Sequence, residues 1–154
     1  MPAVTDHNRK FLIFSLQGTL YALDLKQVAE VGNPPQTWPI PLAPPCYTGA
    51  LSFHGDIVAV MNLALFLGLP GPGKPEKIVV LQQEIASLAF LVDTVVRIVS
   101  EEEVSVGKPP AGALSAATLG LSDGEAIQLD LDALVREAEA GMQKIQQGSE
   151  FSQI

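Results

Sequence analysis

The chain has one cysteine, two histidines and no run of lysine or arginine, and each shortage removes a class of protein. Cys46 has no second cysteine to pair with, so the fold must stand without an intramolecular disulfide. His7 and His54 are far apart and no Cys or His pair falls at metal-ligand spacing, so a zinc site is not expected. Nine Lys and Arg residues, scattered from Arg9 to Lys144, face seventeen Asp and Glu, for a formal charge of −8. That balance lacks the attraction for phosphate on which nucleic-acid binding depends, and no nucleic-acid partner is expected. Gly71 and Gly73 are followed by no Lys-Ser/Thr pair and sit in no strand–turn–helix context, so they form no nucleotide fingerprint, and no cofactor is expected.

Long apolar runs are also missing. The greasiest stretch, Ile57 to Leu69, is broken by Asn62 and closed by Gly68 and Pro70. It falls short of the ~18 apolar residues that suggest a membrane span, so membrane insertion is not expected. The polar N-terminus, Met1 to Lys10, has no apolar secretory core, and a cytoplasmic location is the expectation.

What remains is a chain that is 47% hydrophobic and 17% charged, rich enough in apolar side chains to fold around a large core. Phe11–Leu16 and Leu20–Leu25 read as a hairpin across Gln17, Gly18 and Thr19. Asp24 is placed to cap one helical turn before the chain extends again to Val31. Six prolines between Pro34 and Pro45 exclude helix and central strand and predict an extended surface loop carrying Trp38. Tyr47–Phe53 and Ile57–Met61 read as a second hairpin about His54, Gly55 and Asp56, followed by a short helix over 62–67 stopped by Gly68.

Residues 70–75, Pro-Gly-Pro-Gly-Lys-Pro, read as a linker between two halves. Beyond it, Lys77–Gln82, Ser87–Val92 and Thr94–Val99 read as strands, and Glu101 to Gly112 as a polar loop. Ala116–Leu121 and Ala126–Leu131 form a last strand pair. Asp132 is expected to cap a closing helix to about Gln147, and residues 148–154 to fray. Many short strands at intervals of about ten residues predict an all-β fold of small barrels packed together, with short helices.

Catalytic chemistry finds little to stand on. Asp123 falls in a turn and Asp132 at an expected cap, and Cys46 among prolines reads as a small apolar residue. The chain is therefore not expected to be an enzyme. The competing reading is a small-barrel enzyme or ligand-binding domain using the Pro-rich loop as a pocket wall.

Several ordered segments resemble the CheW-like family, which takes in chemotaxis coupling proteins and the regulatory domain of CheA-type histidine kinases. They are Phe-Leu-Ile-Phe-Ser-Leu at 11–16, Tyr-Ala-Leu-Asp at 21–24 and Val-Ala-Glu-Val at 28–31. Pro44, Gly-Ala-Leu-Ser-Phe-His-Gly at 49–55, Ile57 to Leu67, Leu-Val-Asp-Thr-Val at 91–95 and Gly120 to Leu134 follow. The resemblance implies a single domain over 9–147: two five-stranded SH3-like barrels that share a core, joined near 70–75, with a C-terminal helix.

It further implies a non-catalytic adaptor that couples the cytoplasmic tip of a methyl-accepting chemoreceptor to the regulatory domain of a CheA-type kinase. The matched positions Val28, Glu30, Val31, Gly49, His54, Gly55 and Gly120 are the implied partner-binding residues, with His54 facing Glu30 at the mouth of a groove. Four positions depart from the family pattern: His54 and Ala64 stand for arginine, Asn62 for aspartate and Ala59 for proline.

Overall fold

The computed structural model describes residues 9–71, 73–112 and 114–152, with side chains through Met142. The expectations for Met1 to Asn8, Pro72 and the last two residues lie outside the described residues.

Eleven strands occur among them: β1 Lys10–Leu16, β2 Thr19–Asp24, β3 Val28–Gly32, β4 Tyr47–Phe53, β5 Asp56–Asn62, β6 Lys77–Leu81, β7 Leu88–Val92, β8 Thr94–Ser100, β9 Ser105–Gly107, β10 Ser115–Leu121 and β11 Gly124–Leu129. Two helices accompany them, α1 Leu63–Phe66 and α2 Leu131–Ser152. The strands make a six-stranded sheet, β8-β1-β2-β11-β10-β9, and a five-stranded sheet, β3-β6-β7-β5-β4. The all-β class with short helices and a C-terminal helix is as expected.

The division of the chain between the sheets differs from the sequential halves expected. β1 and β2 open the six-stranded sheet, β3–β7 build the whole of the other, and β8 returns to the first. The segment 70–75 therefore connects α1 to β6 inside one sheet's run and does not join two halves. The true crossings are the 3-10 turn Leu25–Gln27, which Asp24 caps through Lys26 N–H, and the single residue Asp93 between β7 and β8. Local punctuation pointed to the Pro-Gly run because it is the stronger breaker, yet a crossing here needs one residue, not a flexible segment.

Consecutive apolar residues on the strands are explained by burial on both faces. Along β1, Leu12, Phe14 and Leu16 enter the core shared by the two sheets, whereas Phe11 and Ile13 enter the interior of the six-stranded sheet with Ala22, Val99, Leu119 and Ala126. β6 divides in the same period-2 manner: Val79 and Leu81 face the shared core, and Ile78 and Val80 face the interior of the five-stranded sheet. The shared core gains Leu129, Leu131, Leu134, Val135 and Ala138 from β11 and α2, so the helix seals the two sheets together.

Three further details differ from expectation. β9 lies in the segment read as loop, and its three residues are all exposed, so no hydrophobic alternation announced it. The cap of α2 is Asp130, whose carboxylate accepts from Ala133 N–H at 3.1 Å, and not Asp132, which lies in the first turn. The helix also continues to Ser152, past the expected end at Gln147.

Candidate functional site

Among the described residues, two of the three two-residue hairpin turns, β1–β2 and β4–β5, place their residues at positive φ: Gln17 at 51° and Gly18 at 86°, His54 at 49° and Gly55 at 85°. This is the primed-turn geometry that matches strand twist, and it explains glycine at 55 on backbone grounds alone. His54 is exposed at the hairpin tip, its ring edge-on to Phe53 with centroids 4.2 Å apart.

β3 is an edge strand. A bulge between Val28 and Glu30 spends one extra residue against β6, so Ala29, Glu30 and Val31 are all exposed in succession while Val28 is half-buried. β3 and β4 lie at opposite ends of the five-stranded ladder, and no ion pair or hydrogen bond joins Glu30 to His54 among the described residues. The groove-mouth pair expected from their matched positions is thus not formed as a direct contact.

The two remaining glycines are framework positions. Gly49 is buried, and a Cβ there would lie 2.5 Å from the Trp38 carbonyl oxygen and 2.9 Å from Thr37 Oγ1. The absent side chain lets Trp38 exchange two backbone hydrogen bonds with Ala50, of 3.0 and 2.8 Å, which lays the Pro-rich loop along the edge strand β4. Trp38 is used through its backbone while its side chain stays about half exposed, and the expected pocket wall of residues 34–45 is absent from the cavities beside α2 and beside residues 110–115. Gly120 lies on β10 in the other sheet, where a Cβ would meet Ser105 Oγ. The expected consequence is unequal. Gly49→Ala must displace backbone and will cost about 1–3 kcal/mol in chemical denaturation. Gly120→Ala needs only a new Ser105 rotamer and will cost under about 1 kcal/mol. Equal losses would contradict this division.

The departures from the family pattern are absorbed locally. Asn62, buried, caps α1 by accepting from Leu65 N–H at 3.2 Å, the same service an aspartate would give. Ala64 is buried in the shared core, where an arginine's charge would need a route to solvent.

Asp93 organises the sheet crossing. Its carboxylate accepts from Gln17 N–H at 2.7 Å and Lys74 N–H at 3.2 Å, its own N–H donates to the Ser15 carbonyl at 3.1 Å, and Gln17 Nε2 donates to the Gly71 carbonyl at 2.7 Å. Gly73 presses against this carboxylate, with a built Cβ 2.8 Å from Oδ1. The Pro-Gly segment is thereby tied to the β1–β2 turn.

Sequence reasoning missed a second exposed feature. On β8, another edge strand, Val96 and Ile98 are 43% and 52% exposed, while Arg97 between them holds Asp123 at 2.7 and 3.3 Å. That guanidinium holds the Asp123 carboxyl below its usual range. The signal was present as Thr-Val-Val-Arg-Ile-Val-Ser, a strand with apolar residues in both phases, but it does not reveal which phase lacks a cover.

Among the described residues no group of three or more His, Cys, Asp or Glu side chains is placed to hold a metal ion, and no helix is long and apolar enough to cross a membrane. The CheW-like domain family model matches residues 10–139. A chemotaxis protein CheW of Treponema pallidum (strain Nichols) is 26% identical over 114 residues, covering 70% of this chain and 67% of the relative. The crystal structure of the scaffolding protein TtCheW from Thermoanaerobacter tengcongensis superposes with a TM-score of 0.72 at 25% identity, covering 82% of this chain and 92% of that one. With the family model spanning β1 through the first turns of α2, the chain belongs to the CheW-like domain family.

Proposed function

We propose that this chain is a non-catalytic cytoplasmic adaptor that couples the tip of a methyl-accepting chemoreceptor to the regulatory domain of a CheA-type histidine kinase. The carrying observation is that each sheet leaves an edge strand with exposed apolar side chains, Val31 on β3 and Val96 with Ile98 on β8. Natural edge strands are usually blunted by charge or cover, and an adaptor needs two separate surfaces of this kind. The relatives named as a chemotaxis protein and a scaffolding protein support the same reading.

In this reading β3, with Val28, Glu30 and Val31, and the tip His54–Gly55 of the β4–β5 hairpin serve the receptor, while β8 serves the kinase. Gly49 acts by admitting the Pro-rich loop against β4, the strand that leads to the His54 tip, and Gly120 by admitting Ser105 of β9. Ile98→Asp is expected to weaken binding to the kinase regulatory domain at least about tenfold and to leave receptor-tip binding intact, and Val31→Asp to do the reverse. Both positions are solvent-exposed, so the thermal midpoint should move little. Unchanged affinity for both partners in both variants would remove these strands from the functional surface.

A further inference from the structure

α2 does not lie flush on the five-stranded sheet. A cleft of about 330 Å³ remains between the helix and the β5–β7 ladder, walled by Tyr47, Ala59, Leu88, Val135, Ala138 and Met142. The volume exists because alanines stand at 59 and 138 where the facing elements meet; Leu88, Val135 and Ala138 beneath it are buried parts of the shared core. A cavity of this size is at the small end of ligand sites, room for one ring and a short chain and too little for a peptide helix.

We propose that this cleft binds a small aromatic amine in its protonated form. The walls favour an aromatic body: the Tyr47 ring offers a π face and Met142 a thioether, both of which pack well against a second ring. The charge preference follows from the rim. Glu139 on α2 is exposed beside the cleft, and no Lys, Arg or His lines it among the described residues. The Tyr47 phenol is an uncharged hydroxyl at neutral pH, as an ordinary tyrosine is, and burial, with added contributions from Cys46 and Glu139, pushes its pKa further up, to about 12. A cation held between that ring and the Glu139 carboxylate is stabilised by both, whereas an anion meets only repulsion. The chain's formal charge of −8 adds attraction in the same direction.

The probe is 2-phenylethylammonium, followed by two-dimensional amide and methyl NMR of the full chain, with phenylacetate and 2-phenylethanol as controls. The expected result is saturable shifts at Tyr47, Ala59, Leu88 and Ala138, with a Kd on the order of 0.1–1 mM for a ligand of this size. Phenylacetate should cause none. Glu139→Gln, at an exposed position, should weaken the amine about tenfold and leave 2-phenylethanol unchanged. Ala59→Leu should fill the cleft and abolish both; if that variant fails to fold, Glu139→Gln still decides the charge preference. Absence of saturable shifts in the cleft, equal binding of phenylacetate, or an amine affinity indifferent to Glu139→Gln would each overturn the proposal.

Discussion

Phe90→Ala will lower the unfolding free energy by about 3–5 kcal/mol, and the loss will appear in one transition that takes both sheets apart. Phe90 is fully buried on β7, in a core to which the six-stranded sheet contributes Leu12, Phe14, Leu16, Tyr21 and Leu23 and the helix α2 contributes Leu134 and Val135. Truncation leaves a cavity bordered by both sheets, and neither can collapse into it without moving the other. Urea unfolding followed by Trp38 fluorescence, which reports the edge of the five-stranded sheet, and by far-ultraviolet circular dichroism, which reports both sheets, should give coincident curves. Two separated transitions would mean that each sheet is stable alone and that the shared core contributes little.

Asp93→Ala is expected to cost about 2–4 kcal/mol, because two backbone N–H groups lose a charged acceptor and the crossing from β7 to β8 loses its tie to the β1–β2 turn. For a chain of this length the thermal midpoint should fall by about 6–12 °C. Asp93→Asn, which keeps one carbonyl oxygen, should lose roughly half as much. The Lys74 end is exposed and water can replace it, so the Gln17 hydrogen bond should carry most of the effect. An alanine variant as stable as the native chain would show that the crossing is held by strand pairing alone.

The same residues show what was legible beforehand. The hairpins were readable because Gln17-Gly18 and His54-Gly55 are compact breaks between apolar runs, and chain-local turn chemistry suffices to find such breaks. The double-sided burial of β1 and β6 was readable as uninterrupted apolar residues, although nothing local says which face meets which core. The order of the strands was not readable. Two parallel pairings, β2 with β11 and β5 with β7, join segments far apart in sequence, and they overrule the simple division at 70–75. The choice of Asp130 over Asp132 turned on where β11 ends, a boundary of two residues that propensity cannot resolve.

The candidate site was legible in part for a related reason. Motif resemblance offered Val31 and His54 as partner-binding positions, and both side chains are exposed, but it also drew in Gly49, which admits the Trp38 backbone. Exposure of Val96 and Ile98 depends on β8 being an edge, a property of the whole sheet that no window of sequence contains.

The central claim is adaptor binding without turnover, and titration calorimetry with the regulatory domain of the cognate CheA-type kinase tests it most directly. The account predicts a submicromolar to micromolar Kd with a negative heat-capacity change, the signature of apolar edge surface leaving water, and a ternary complex when a receptor-tip fragment is added. No measurable heat and no co-elution with the regulatory domain of any cognate kinase, at concentrations of about 100 μM where even a weak interface of this size would register, would contradict it.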